Sequence, residues 1–150
     1  MWGAAMPVTV KSISLWRREV DNQVGTLAHT LEPVTKAGAN LRVLMGYRYP
    51  RDATKAAIEL YPVEGKKVAA AAAEAGLVAS SIPTLLVEGD DKPGLGQAIA
   101  EAISAAQVNI TFFVAQTIGR KFSAVFGFET EADAKTAAPL IKKAAANKKK

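Results

Sequence analysis

The sequence predicts an α+β protein built from two ferredoxin-like βαββαβ units, the second without its last strand. The first observation behind this is a repeat, because Gly25 and Asn40 are 15 positions apart and Gly94 and Asn109 have the same separation. The second is that a polar turn precedes each glycine and apolar residues at helical spacing follow it. The third is that the alternation typical of strands follows each asparagine. One small module therefore occurs twice, at an offset of 69 positions.

The first unit is predicted to cover residues 8–82 and to carry all six elements. Residues 8–19 are predicted to form a strand, and the spacing of Leu27, Leu31 and Val34 predicts a helix. The elements that follow are strands at 41–45 and 57–61, an alanine-rich helix at 68–75 and a short strand at 77–82.

The second unit is predicted to cover residues 83–142 and to carry five elements. It opens with a strand at 83–88, and Leu95, Ile99 and Ile103 form one face of a helix. Next come a strand through Ile110, Phe112 and Val114, a strand at 122–128, and an alanine-rich helix that opens at Thr130. Only Ala, Asn and Lys remain after this helix, so no fourth strand is predicted.

The basic charge of the chain is concentrated at its end. Residues 142–150 contain five lysines and no acidic residue, so residues 1–141 are formally neutral although the whole chain carries +5. Nucleic acid is therefore an improbable partner. Residues 143–150 are predicted to form a Lys-rich disordered tail that contributes nothing to folding.

Composition also excludes several classes of function. The chain has no cysteine and one histidine, which leaves no catalytic triad and no cysteine or histidine set for zinc. We therefore predict that it is not an enzyme and has no cofactor or metal. No apolar run approaches the roughly 18 residues of a membrane span, and the start lacks a signal-peptide pattern, so a cytoplasmic protein is expected. Met6 is an alternative start.

The two glycine turns are the candidate binding sites. A turn that opens a helix presents unpaired backbone N–H groups and the positive end of a helix dipole, which together suit a carboxylate. The asparagine that enters the next strand is expected near the same turn, where its amide offers both a donor and an acceptor. The predicted ligand-binding residues are Asn22, Gln23, Val24, Gly25, Thr26, Asn40, Leu41, Asp91, Lys92, Pro93, Gly94, Leu95, Asn109 and Ile110.

These segments resemble the ACT domain. The first copy reads Asp-Asn-Gln-Val-Gly before its helix and Gly-Ala-Asn-Leu after it, and the second reads Asp-Asp-Lys-Pro-Gly and Gln-Val-Asn-Ile. Both are similar to the family's Asp/Asn-x-Pro-Gly turn and Ala-Gly-Ile-Asn-Ile step. The resemblance covers most of the chain. Members of this family bind small ligands, mostly amino acids, so the resemblance implies a free-standing pair of ACT domains that binds such a ligand and regulates a metabolic enzyme. Val24 stands where the family has Pro, and Gln107 where it has Gly, so the sequence leaves open which site binds.

Other interpretations of the same residues remain. Gly and Asn are also ordinary turn and cap residues, in which case the chain is a structural or dimerisation module with no ligand. An enzyme on the same scaffold has no residues to support it. Gly94-Leu95-Gly96 resembles part of a dinucleotide fingerprint, but Ile99 stands at its third glycine position. A homodimer is predicted, because a sheet without its fourth strand exposes a backbone edge.

Overall fold

Two four-stranded antiparallel sheets and four helices make up this computed structural model, which describes residues 8–146. The predicted α+β class and the ferredoxin-like units are confirmed. The elements in chain order are β1 (Thr9–Ile13), β2 (Trp16–Asp21), α1 (Thr26–Lys36), β3 (Val43–Arg48), β4 (Lys55–Tyr61), α2 (Lys66–Glu74), β5 (Val78–Ala79), β6 (Thr84–Asp90), α3 (Leu95–Ala105), β7 (Ile110–Ile118), β8 (Lys121–Phe128) and α4 (Glu131–Ala146).

One unit consists of residues 14–81. Its elements follow the order β2-α1-β3-β4-α2-β5, and its strands lie side by side in the order β3-β4-β2-β5. Both helices pack on one face of this sheet through a small core of Val34, Leu60, Ala72 and Leu77. The two central strands, β4 and β2, therefore position the β2–α1 turn at one end of the sheet.

The other unit joins residues 82–146 to the first strand of the chain. Its strands lie in the order β1-β6-β8-β7, and β1 pairs with β6 from Thr9 opposite Glu88 to Ile13 opposite Thr84. Its core is larger, because phenylalanines of β8 pack against the apolar faces of α3 and α4. The fully buried side chains include Ile99, Ile103, Phe126, Phe128 and Ile141.

The chain therefore divides differently from the predicted boundaries of 8–82 and 83–142. The single strand expected at 8–19 is two strands, β1 and β2, which belong to different sheets. Strand β1 occupies the place of the missing fourth strand in the later unit, which is the one that contains residues 82–146. The sheet edge whose exposure was the reason to predict a homodimer is therefore already paired. Alternation of apolar residues is a local signal and does not say which sheet a strand joins.

The C-terminal helix is longer than the sequence predicted. Helix α4 runs to Ala146, so the proposed disordered tail begins inside it, and residues 147–150 lie outside the described part of the chain. Ala144 is buried and continues a stripe of small and apolar residues at helical spacing, which is why the helix persists. The stripe is Ala134, Ala137, Ile141 and Ala144. Among the described residues, no helix is long and apolar enough to cross a bilayer.

The contribution of β1 can be tested at Val8, which precedes the strand and is 4% exposed in the core of the later unit. Val8→Ala should lower the free energy of unfolding by about 1–3 kcal/mol, because it leaves a cavity beside α4 and β6. Lys11→Ala on the same strand is the control, because Lys11 is exposed and its replacement should change stability by less than about 0.5 kcal/mol. Equal effects of the two substitutions in urea unfolding would contradict the placement of β1.

Candidate functional site

The two glycine turns have the same backbone arrangement. In the first, the backbone N–H of Asn22 donates to the carbonyl of Thr54 at 2.8 Å, and in the second that of Asp91 donates to the carbonyl of Arg120 at 2.8 Å. The aspartate that ends the strand before each turn pairs with the lysine opposite it on the neighbouring strand. These pairs are Asp21 with Lys55 at 2.8 Å and Asp90 with Lys121 at 2.6 Å. The repeat seen in the sequence is thus a repeat of structure at the candidate sites.

Each helix begins with a glycine in the left-handed region. Gly25 has φ 90° and Gly94 has φ 80°, and neither helix has a side-chain hydrogen bond at its N-cap. A side chain at either position would be strained whatever space surrounds it. Glycine is therefore required by the backbone itself, and this structural role is independent of any ligand.

The first turn leaves a group of backbone donors available. The N–H groups of Gln23 and Thr26 are hydrogen-bonded inside the turn. In the described part of the chain, no hydrogen bond is made by the backbone N–H groups of Val24, Gly25, Leu27 and Ala28. Such donors at the start of a helix favour an anionic group. The second turn has one backbone donor fewer, because Pro93 occupies the position equivalent to Val24 and has no N–H.

A pocket of about 230 Å³ lies beside the first turn. Gly46 of β3 contributes to its lining, and a Cβ placed there would be 4.0 Å from the nearest atom, a methyl carbon of Leu27. The pocket adjoins a cavity of about 310 Å³, and the residues common to both linings are Val20, Asp21, Gln23 and Thr26. Its lining is Val20, Asp21, Asn22, Gln23, Thr26, Leu27, Gly46, Tyr47, Arg48, Ala56, Ala57 and Ile58. An aspartate and an arginine thus line a space of small-ligand size, and of the residues with free backbone donors Leu27 lines it as well.

The second turn opens onto a different space. A groove of about 530 Å³ runs between α3 and α4, and Lys92, Pro93 and Gly94 lie at its end. Lys92 donates from Nζ to the carbonyl of Ala145 at 2.9 Å. Its charge therefore neutralises the negative end of α4. The second copy is closer to the ACT motif, whereas the pocket lined by Asp21 and Arg48 lies beside the first copy.

The structure does not bring the two asparagines to the turns of their own units. Gly25 and Asn40 lie at opposite ends of α1, whose 11 residues span about 16 Å. Gly94 and Asn109 are likewise separated by the full length of α3. Both asparagines are exposed, whereas the following Leu41 and Ile110 pack at the margins of the two cores. Neither asparagine therefore reaches the turn of its own unit.

The other predicted residues have mixed roles. Asn22 donates from its side chain to the carbonyl of Ala53 at 2.8 Å, so it ties the turn to the β3–β4 loop. Thr26 donates from its hydroxyl to the carbonyl of Asp21 at 3.3 Å. Val24 is fully exposed, and Asp91 and Pro93 are exposed, while Leu95 is 2% exposed and belongs to the core. The turn residues therefore combine surface exposure with tethering of the backbone.

A buried polar cluster was not predicted from the sequence. Glu59, in the middle of β4, is 2% exposed, and its Oε2 accepts a hydrogen bond of 2.6 Å from the hydroxyl of Tyr47. Arg17 lies opposite on β2, with its Nε 3.8 Å from the same oxygen, and donates to the hydroxyl of Tyr49. The sequence signal was available, since Glu59 interrupts the apolar run Ala-Ala-Ile-Glu-Leu-Tyr.

The cluster changes the chemistry of one tyrosine. Burial and the hydrogen bond to Glu59 raise the pKa of Tyr47 from 10.0 to about 12. No group of three or more His, Cys, Asp or Glu side chains within residues 8–146 is arranged to hold a metal ion. The cluster is thus a hydrogen-bonded network built around one buried carboxylate.

Comparisons with known proteins give a structural likeness alone. No family model matches the sequence, and no curated protein matches it. Protein BT0572 from Bacteroides thetaiotaomicron is similar in structure, with a TM-score of 0.71 over 89% of both chains and 15% identity. The regulatory subunit of aspartate kinase from Thermus thermophilus, in a ligand-free form, has a TM-score of 0.61 over 94% of this chain and 98% of its own, with 16% identity. Aspartokinase alpha and beta subunits give 0.62 over the same shares, with 15% identity. These likenesses support the ACT-like fold.

The ionisation of Tyr47 is a direct test of the cluster. Because the pKa of Tyr47 in the folded protein is about 12 and its ordinary value is 10.0, the neutral phenol stabilises the fold below about pH 10. That stabilisation should be lost as the pH rises from about 10 to about 12. An absorbance titration of phenolate should show a component near pH 12 that Tyr47→Phe removes. A titration of the variant that still contains this component would show that Tyr47 does not hold the proton.

Proposed function

We propose that this protein is a regulatory protein without catalytic activity, and that it binds an amino acid at the turn between β2 and α1. The observation that carries this proposal is the pocket of about 230 Å³ that is lined by Asp21 and Arg48 and adjoins the unpaired backbone donors of Val24 and Gly25 in the same turn. An amino acid carries an anionic and a cationic group a short distance apart. The free N–H groups of Val24 and Gly25 suit its carboxylate, and Asp21 suits its ammonium group.

The apolar part of the pocket suits a small side chain. Gly46, Leu27 and Ile58 line the pocket near the polar turn, so an aliphatic group can be covered while the charged groups remain at the turn. Gly46 pairs with Ile58 on β4. Its equivalent in the second copy is Ala115, which pairs with Ala124 on β8. Together with Pro93, this difference favours the first turn as the ligand site.

The likeness to the regulatory subunit of aspartate kinase supports a regulatory role. In that setting the chain would bind its ligand and change the conformation or assembly of a regulated enzyme, with no chemistry of its own. The alternative is a dimerisation module that uses the same fold and has no ligand. An exposed edge strand, β7, supports some form of assembly under either proposal.

Strand β7 is the edge best suited to pair with a second copy. Its nine residues contain no charge, proline or glycine, and its outer side has no partner strand in the described part of the chain. Phe113, Val114 and Ile118 are 43%, 49% and 69% exposed. Edges without protective charges are prone to strand pairing. An antiparallel pair centred on Val114 would place Asn109 opposite Gly119 of the second copy, close to the Asp91 turn.

The ligand site is tested by a thermal-shift panel of the twenty amino acids, followed by titration calorimetry of any amino acid that stabilises the protein. A ligand at 100 times its dissociation constant should stabilise the fold by about 2.7 kcal/mol. Gly46→Val should weaken binding by about tenfold or more, because it fills the pocket between Leu27 and Ile58. Ala115→Val is the matched control and should leave affinity unchanged. If Ala115→Val weakens binding and Gly46→Val does not, the ligand site lies in the second copy. If none of the twenty amino acids stabilises the protein, the result favours a dimerisation module without a ligand.

The homodimer is tested by placing a charge on the proposed edge. Val114→Lys should convert a dimer into a monomer in light scattering at tens of micromolar, because a buried unpaired lysine opposes strand pairing. Leu44→Lys on the exposed edge strand β3 is the matched control, and Leu44 is 45% exposed. A monomeric wild type would reject the dimer, and dissociation by Leu44→Lys alone would place the interface on the other sheet.

A further inference from the structure

The buried carboxylate of Glu59 has one oxygen without a partner. Oε2 accepts from Tyr47, whereas Oε1 is buried and accepts no hydrogen bond within the described residues. Leaving a buried acceptor unpaired destabilises a folded protein. A further donor directed at Oε1 would therefore stabilise the fold.

Arg17 is the group that can supply the missing donor. It faces Glu59 directly across the β2–β4 pair, yet its Nε is 3.8 Å from Oε2, which is beyond hydrogen-bonding distance. Its guanidinium instead donates to the hydroxyl of Tyr49 and lies 5.8 Å from the centre of that ring. Because a guanidinium carries five N–H donors on a flexible stem, rotation of the outer side chain can bring it to Glu59.

The second copy shows that the fold does not need these charges. Arg17 lies four positions before Asp21, and Leu86 lies four positions before Asp90 in the second copy. Likewise, Glu59 lies four positions after Lys55, and Val125 lies four positions after Lys121. Leu86 and Val125 are buried and paired across the same two strands. An apolar pair therefore serves the sheet at this place, and the charged pair of the first copy has another role.

The cluster is connected to the candidate ligand turn. Tyr49 lies in the β3–β4 loop, and its backbone N–H donates to the carbonyl of Lys55 at 2.9 Å. In the same loop, the carbonyls of Ala53 and Thr54 accept the side-chain and backbone N–H groups of Asn22, each at 2.8 Å. A displacement of the turn would thus be carried through the loop to the hydroxyl that holds Arg17.

We propose that Arg17 has two positions, one on Tyr49 and one on Glu59, and that a ligand at the turn of residues 22–25 selects the second. This inference rests on the proposed ligand site and adds how occupancy of that site is transmitted. With the turn empty, Asn22 holds the loop so that Tyr49 retains Arg17. With the turn occupied, the loop moves and Arg17 transfers to Oε1 of Glu59. The surface formed by the exposed Tyr47 and the half-buried Tyr49 then changes shape, and a partner protein can recognise the change.

The test without ligand follows the guanidinium signals of Arg17 by nitrogen-15 NMR, assigned with Arg17→Lys. Tyr49→Phe removes the acceptor, so Arg17 should move to Glu59 and its guanidinium rotation should slow at least fivefold. Adding Glu59→Gln to Tyr49→Phe should abolish this slowing. Faster rotation in Tyr49→Phe alone would overturn the second position, since Arg17 would then have gained no bond to Glu59.

The link to the turn is tested with Asn22→Ala, which removes the side-chain bond to Ala53. The Arg17 signals should shift in the direction produced by Tyr49→Phe, whereas Asp91→Ala at the equivalent position of the second copy should leave them unchanged. Unchanged signals in Asn22→Ala would overturn the coupling. The same spectra are then recorded with each of the twenty amino acids at millimolar concentration. If an amino acid binds in calorimetry but does not shift the Arg17 signals, the switch is rejected and the ligand site stands. If Asn22→Ala shifts the Arg17 signals but no amino acid binds, the ligand site is rejected and the coupling stands.

Discussion

The pairing of β1 with β6 is the constraint on which the rest of the structure depends. The segment at 9–13 supplies the fourth strand of the later sheet, and the chain then begins the earlier sheet with β2 only a few residues further on. Without that pairing, the later unit would lack the strand that covers one side of β6, and Val8 would leave its core. Each unit is complete as a result, although the second copy of the repeat contains only five of the six elements.

The two units keep the same turn and use it differently. The cross-strand lysine–aspartate pair and the left-handed glycine are present in both. What differs is the surroundings, since the first turn has Gly46 and Arg48 beside it, while the second has its lysine bonded to the end of α4. Duplication thus preserves the backbone of the turn, while neighbouring side chains give each turn a different adjoining space.

Much of this arrangement was predictable, because it depends on local signals. Gly25 and Gly94 could be recognised as equivalent from their spacing to the asparagines, and the apolar alternation located most strands. The division of residues 8–19 between two sheets was not predictable, because strand pairing is decided by partners distant in the sequence. Helix α4 was underestimated because Ala144 adds little to a hydrophobic pattern while still filling the core.

The candidate site was predicted only in part for a related reason. Asn22, Gln23 and Thr26 do line the pocket, but Gly46 and Arg48 reach it through the β3–β4 hairpin, which no local motif indicates. Glu59 and Arg17 were separated by 42 positions and only the strand register shows that they face each other. Spacing along the chain suggested that Asn40 would approach Gly25, yet α1 holds them at opposite ends.

We propose that the first turn receives a small ligand through its free backbone N–H groups. Amide chemical-shift mapping with any amino acid that stabilises the protein tests this most directly. The predicted result is a set of shifts concentrated at the amides of Val24, Gly25, Leu27 and Ala28, with little change at Gly94, Gly96 and Gln97. Saturable binding that leaves the amides of the first turn unmoved would contradict it.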